Sequence, residues 1–444
     1  MRQQAGATRQ SPPCPPFEGD APGPLLAPFF LASSWIWVIA MLFPILAVRD
    51  FGLWGWIAFA TPNVLGATAV GFLRAERSVA ILERHASALL WFSAVTVVLH
   101  GYVLTYSPPL NPNGPTGPTA FAQDTMLPAV REAMQEKHGW AIFPYGNVRD
   151  PLNPRAWTTY SPLAWYGTNY VGMRGRIGIL SEAYSHADFE TRVAATHDFV
   201  VEVLEYAAEH AEAIRRIVRE ADRRTTLEGL GELERPELAI GFEPASRGIE
   251  PVVLRRMRAA GQTPSGRRRL EPIEGYDTLP LPIFDRFAAT STVRLPGGYF
   301  LPPAEAATAA LLRLHGIEVQ RLVAPWSGSA GILEIDSLSW SENPFQGHHL
   351  LSVEGAWTAD RVTVPAGAYY VSTAQPLGRL VFELLEPRGY GLARWNVFDR
   401  LLGTEEGALS GLVYGSRPVR AFPLWRVDRD PAAVLRTLAP EPER

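Results

Sequence analysis

The chain has 444 residues (48.9 kDa) with 41 basic and 45 acidic side chains, a formal net charge of −4. Its 47% hydrophobic content excludes disorder and collagen, and its 19% charged residues fall below the roughly 25% usual for soluble domains. Cys14 is the single cysteine, which excludes an intrachain disulfide and a cysteine-based zinc site, and the near-neutral balance gives no basic face for nucleic acid. Residues 1–24, rich in Pro and Gly, read as a disordered tail.

Three apolar runs follow. Leu25 to Val48 and Phe51 to Leu73 are uncharged and separated by Arg49-Asp50; Ala86 to Leu104 is weaker, with His100 inside it. A membrane helix needs ~20 such residues to cross a ~30 Å core. The runs are too long for a cleavable signal peptide, whose apolar region is ~7–15 residues. They therefore predict an anchor of two or three spans, the alternative being buried core helices. Arg74, Arg77 and Arg84 crowd the second loop, while Arg49 stands alone in the first. Basic loops stay inside. This places the tail in the cytoplasm and everything after the third run outside, with membrane lipid as a partner.

Ser107 to Pro118 is a Pro/Gly/Asn loop. Ala120 to Lys137 predicts a helix ended by His138-Gly139, and Ala141 to Asn147 a short strand or loop. Arg176 to Glu182 predicts a buried strand ending in a carboxylate. Ser185 to about Arg223 predicts one long amphipathic helix, opened by Ser185 as N-cap with Asp188 three residues later. Beyond Leu230, short β-type segments dominate, including Ile317 to Val323, Ile332 to Asp336, His348 to Val353, Tyr369 to Ser372 and Leu380 to Leu385. One helix is expected between them, at about Pro303 to His315.

The stretch Tyr166 to Ser185, with Gly178-Ile-Leu-Ser-Glu-Ala-Tyr-Ser185 at its end, resembles the zinc carboxypeptidases (carboxypeptidase A-like metallopeptidases). The likeness extends to His100-Gly-Tyr102, His138-Gly-Trp140, Asp285-Arg-Phe287, Pro344-Phe-Gln-Gly-His348 and Thr373 to Pro387, thus over about His100 to Arg426. It implies that Glu182 is the general base of a zinc-bound water, with Tyr166 and Tyr170 as candidates for substrate contact and peptide as ligand. From the residues alone, Glu182 could equally be paired with Arg174 or Arg176.

The resemblance implies zinc held by a His-x-x-Glu pair and a later His. The position of the later His, seven residues before His100, is Ser93, and the upstream half of the family pattern is absent. His85 and Glu83 have the wrong spacing. His315-Gly-Ile-Glu318 has the right spacing, but Gly316 reads as a helix stop. His348-His349 are adjacent, and adjacent strand residues face opposite ways. His186 and His197 read as surface residues of the long helix. No zinc ligands are therefore assigned.

Trp35 to Phe72 resembles the start of a bacterial multi-pass permease-like protein, with a join to the carboxypeptidase-like part near 93–100. The expected architecture is a membrane-anchored α/β chain. It has a tail (1–24), a transmembrane region (25–104), a partial carboxypeptidase-like domain (105–290) and a β-rich module (291–444). The expected setting is a bacterial inner membrane, with the C-terminal domain on the outer face. The expected function is carboxypeptidase-like, metal-free and inactive as the chain stands. The alternatives are a peptide-binding or structural pseudo-peptidase, or a gene fusion without settled function.

Overall fold

A computed structural model describes residues 101–184, 187–262, 268–402, 421–429, 431 and 435–437. The expected tail, the runs at 25–48 and 51–73, and residues 86–100 of the third run lie outside these residues.

Two small layers carry the first half. Strands β1 (Leu104–Ser107), β2 (Ile142–Pro144) and β4 (Leu180–Ala183) form a sheet in the order β2-β1-β4, with β1 parallel to β2 and antiparallel to β4. Side chains alternate along a strand. Leu104, Tyr106 and Ile142 share one face with Met126, Leu127, Val130, Met134 and Phe199 in a buried cluster. After α1 (Thr116–Phe121), those partners come from a π-turn (Ala122–Met126), α2 (Leu127–His138) and α4 (Phe189–Glu209). Gly139, at φ 74, terminates α2 as its sequence predicts.

Strand β3 (Trp157–Thr158) joins the hairpin of β6 (Ile249–Gln262) and β7 (Arg268–Phe284) in the order β3-β7-β6, while β5 (Glu237–Ala245) pairs with β8 (Arg286–Arg294). The second half is built on one sheet, β12-β11-β14-β9-β13-β10-β15. Its strands are β9 (Gly298–Leu301), β10 (Gln320–Leu322), β11 (Trp326–Trp340), β12 (Leu351–Val364), β13 (Tyr369–Ser372), β14 (Ala421–Val427) and β15 (Leu435–Thr437). Helices α6 (Ala306–Leu314) and α7 (Gly378–Leu385) cover it, and Tyr299, Leu301, Leu312, Val371, Leu380, Phe398 and Phe422 fill its core.

The membrane-anchored α/β expectation is corrected. Among the described residues no helix is long and apolar enough to cross a membrane, and the described chain is rich in sheet. The multi-pass inner-membrane placement falls with it. The end of the third run is backbone pairing, not helix: Gly101 N–H donates to Val253 O at 3.0 Å, Val103 N–H to Ala141 O at 3.1 Å, and Leu104 opens β1. A short apolar run has the same composition in a buried strand as in a span, and here the hydrophobicity serves packing.

Three helical boundaries also differ. The expected helix from Ser185 is two: α4, and α5 (Ala211–Leu230), which meet at His210 (φ −104, ψ 18). The N-cap of α4 is Asp188, whose Oδ1 accepts from Thr191 N–H at 2.8 Å. Leu380 to Leu385, read as strand, is helix α7, with Leu380, Val381, Phe382 and Leu385 all buried.

A candidate functional site around Glu182

Glu182 sits where its sequence places it, near the end of β4, opposite Thr105 of β1. It therefore shares a face with Thr105 and Ser107, away from the helix-packed face of Leu104 and Tyr106. The residue is exposed.

Three tyrosines from two loops meet on this face, Tyr145 after β2 and Tyr160 and Tyr166 between β3 and the next helix. The Tyr145 ring lies 5.5 Å from that of Tyr160 at 78°, and the Tyr160 ring lies 4.9 Å from that of Tyr166 at 57°. Tyr160 Oη donates to Ser107 Oγ at 3.1 Å and lies 2.7 Å from Thr168 Oγ1. Two anchors hold them. Tyr145 follows β2, and its N–H donates to Tyr106 O at 2.6 Å. Gly146 then lets the Trp157 indole lie against the chain, since a Cβ there would stand 2.5 Å from Trp157 Nε1. Tyr160 and Tyr166 flank a segment fastened by buried Asn169 of α3 (Gly167–Met173). Its Nδ2 donates to Ser161 O and Leu163 O, both at 3.1 Å, and its Oδ1 accepts from Leu110 N–H at 2.8 Å.

The electrostatics follow from this crowding. Although the residue as a whole is exposed, burial of its carboxyl pushes Glu182 above the usual range. Burial pushes the Tyr145 and Tyr160 phenols up as well, and the Glu182 charge adds to both shifts.

The pairing of Glu182 with Arg174 or Arg176 does not occur. Arg174 donates to His315 O at 2.6 Å and to Tyr170 Oη at 3.1 Å, and Arg176 holds Asp222 at 2.8 Å. Among the described residues, the Glu182 carboxylate forms no ion pair. The structure also separates the two tyrosine candidates. Tyr166 joins the Glu182 face, whereas Tyr170 Oη lies 2.7 Å from His315 Nδ1 and its ring packs against the large-sheet core. Tyr145 and Tyr160 carry no local signal, because no spacing links them to Glu182; only the fold brings them in.

Beside Tyr160 opens a pocket of ≈260 Å³, walled by Leu163, Phe242, Phe287 and Tyr390. Thr159 lines it, and its Oγ1 is buried with no hydrogen-bond partner among the described residues.

The other histidine readings resolve as follows. Gly316 has φ 80, so His315 and Glu318 are parted by a helix stop as expected. His348 and His349 contact Asn396 Oδ1 and Ser341 O. His197 is exposed beside Asp198. His138, read only as a helix end, also lies 2.8 Å from Glu202 Oε1. His85, His100 and His186 lie outside the described residues. Among the described residues no three His, Cys, Asp or Glu side chains group as a metal site requires.

The chain is 27% identical over 99 residues to Carboxypeptidase 2 of Trichophyton tonsurans and, to the same extent, to Carboxypeptidase 2 of Trichophyton equinum. The match covers 22% of this chain and 18% of each relative. It supports a distant, partial carboxypeptidase-like relationship; both relatives are fungal, so they lend nothing to a bacterial source. No protein-family model matches the chain, and no solved structure does.

Proposed function

We propose that this chain is a carboxypeptidase-like protein that binds peptide on the Glu182 face without hydrolysing it. The observation that carries this reading is Glu182 itself: an exposed, partly desolvated carboxylate with no ion-pair partner among the described residues. Asp222 and Glu202, by contrast, sit against a cation. The adjoining ≈260 Å³ pocket, walled by Leu163, Phe242, Phe287 and Tyr390, has room for one apolar side chain.

Zinc is what the family resemblance implies, and the donor set does not fit it. The groups around Glu182 are phenol and alcohol oxygens, where a catalytic zinc takes three His or carboxylate ligands. Glu182 is therefore assigned binding, and no hydrolytic step is derived for it.

The test is to incubate the purified full chain with blocked peptides of varied C-terminal residue. Released amino acid and, separately, heat of binding are measured, with zinc content determined on the same sample. Binding without turnover is expected, with zinc far below one per molecule. Release of C-terminal residues by the parent and not by a folded Glu182→Gln variant would overturn the reading.

A further inference from the structure

We propose that Glu383 of α7 is a positioning residue worked by its proton. Protonated, it latches the segment 108–115 onto β5 and α7, and through that segment it holds the loop carrying Tyr160 and Tyr166; ionised, it loosens both. The latch is a matter of the fold, and its effect on affinity rests on the peptide-binding reading of the Glu182 face.

The first observation is a buried carboxyl without a counter-charge. A glutamate is almost never fully buried unless it is paired. Glu383 is 5% exposed; its Oε2 accepts from Asn113 Nδ2 at 3.3 Å, and its Oε1 is buried with no hydrogen-bond partner among the described residues. The charged groups around it are spent on one another. Arg379, one turn earlier on α7, gives Nε and Nη2 to Glu228 Oε2 of α5 at 3.2 and 2.9 Å and Nη1 to Asn113 O at 3.1 Å. Arg224 of α5 takes Glu228 Oε1 at 3.1 Å, and Arg388 takes Glu386 Oε1 at 3.1 Å. The segment 108–115 brings Asn111 and Asn113, and β5 brings apolar Leu238 and Ile240 with the backbone of Ala239. Ionising a carboxyl in such a place is costly, and a group so placed neutralises instead. Burial pushes the Glu383 carboxyl up to about 7, against the pull of the Asn113 amide and the nearby Asn111 amide.

The second observation is what this carboxyl holds. Asn113 Nδ2 also donates to Ala239 O at 2.8 Å, and its Oδ1 accepts from Ala239 N–H at 2.7 Å. Its own N–H donates to Asn111 Oδ1 at 2.9 Å. Next to Asn111, Leu110 N–H donates to Asn169 Oδ1 at 2.8 Å, and Asn169 is the side chain that fastens Ser161 and Leu163. The packing leaves no slack between the two. A Cβ on Gly172 of α3 would stand 2.4 Å from Pro109 Cβ, and one on Gly114 would stand 3.1 Å from Gly172 O. A shift of the segment 109–114 therefore moves α3, and Asn169 carries the shift to Tyr160 and Tyr166.

The sign follows. Water reaches an ionised Glu383 only if the segment 108–115 lifts from α7, and in the open state the carboxyl returns to its ordinary range. Between the ordinary value and the folded one, each pH unit raises the opening constant by up to about tenfold; above the folded value it levels off.

The experiment is native-state hydrogen exchange on the full chain over about pH 5 to 8, with intrinsic exchange rates divided out. The probes are the N–H groups of Leu110, Asn113 and Ala239, with the β11–β12 pair as control. Their opening should rise by up to about tenfold per unit up to about pH 7 and then flatten. In Glu383→Gln it should be independent of pH, and at the alkaline end that variant should bind a blocked peptide severalfold more tightly than the parent. Protection at the three probes that does not change with pH in the parent would overturn the latch. So would a pH effect shared equally by the β11–β12 amides, which is global destabilisation, or one that Glu383→Gln retains. Equal peptide affinity of parent and variant, with the exchange effect present, would overturn the coupling to the tyrosines. Peptide refused by both, with the exchange effect present, would leave the latch and remove the peptide reading.

Discussion

Two carboxylate environments lie on the two faces of β1, and they differ in one respect. On the helix side, a cleft of ≈880 Å³ is lined by Tyr106, Arg131, Trp140, Arg247, Glu250 and Asp285. Three of its acids are matched in a ladder: Arg131 to Glu250 at 3.4 Å, Arg247 to Glu250, Arg247 to Asp285 at 2.7 Å, then Arg286 to Asp285 at 3.2 Å and to Asp124 at 2.9 Å; Glu132 and Glu136 also line it. Although burial opposes it, the Arg247 bond and charge hold the Glu250 carboxyl below its usual range. On the other face Glu182 has rings in place of arginines, and its carboxyl moves up. Arginine thus holds three acids of the larger cleft, while Glu182 on the other face has no ion pair among the described residues.

The comparison breaks most severely at Phe143, which supports both faces. It is fully buried, stacked on Tyr102 at 4.6 Å and edge-on to Trp157 at 5.7 Å, with Arg131 over its ring at 4.7 Å. Phe143→Ala should cost about 3–5 kcal/mol by leaving a cavity, read as a lower urea midpoint, and should weaken binding at Glu182 as well.

Arg247→Met separates the two faces. It leaves Asp285, which is buried, with Arg286 alone and Glu250 with Arg131 alone. A loss of about 2 kcal/mol is expected, less than a fully buried pair would show because Arg247 keeps some solvent. Peptide affinity at Glu182 should not change. The acid limb of the stability profile should also flatten. A depressed carboxyl such as Glu250 stabilises above its unfolded pKa and loses that contribution as pH falls through its folded value. An unchanged acid limb would refute the role given to the ladder.

Tyr160→Phe sharpens the contrast from the other side. It removes the bonds to Ser107 and Thr168 and retains the ring, so about 1 kcal/mol of stability should be lost.

The smallest effect belongs to Glu182→Gln. A raised carboxyl destabilises when ionised: the folded state holds its proton more tightly, so stability falls as pH rises from the unfolded to the folded value. The variant should be equal to or slightly more stable than the parent at neutral pH, by less than about 0.5 kcal/mol, and that fall should vanish from its pH profile. A clear destabilisation would mean that Glu182 has a partner holding it.

Part of this was legible from the residues in order. The helix over Leu127–His138 and its glycine stop follow from 3.6-residue spacing and the need for positive φ at Gly139. The placement of Glu182 at the end of a short strand follows from the apolar run before it. Both are local, and local physics specifies them. Leu380 to Leu385 was not legible: six residues, mostly apolar, fit a buried strand or a buried helix equally, and only packing as α7 chose. The same ambiguity misled at Leu104, where apolar character that suggested a span fills a sheet.

The sequence by itself determined where a carboxylate would be presented, because a strand end is a local event. It could not determine the company of that carboxylate. Tyr145 comes from one loop and Tyr160 and Tyr166 from another, and the arginines nearest Glu182 in sequence are drawn off by Asp222 and His315, partners 46 and 141 residues away along the chain. Electrostatic environment is set by distance in space, and that distance exists only once the chain has folded.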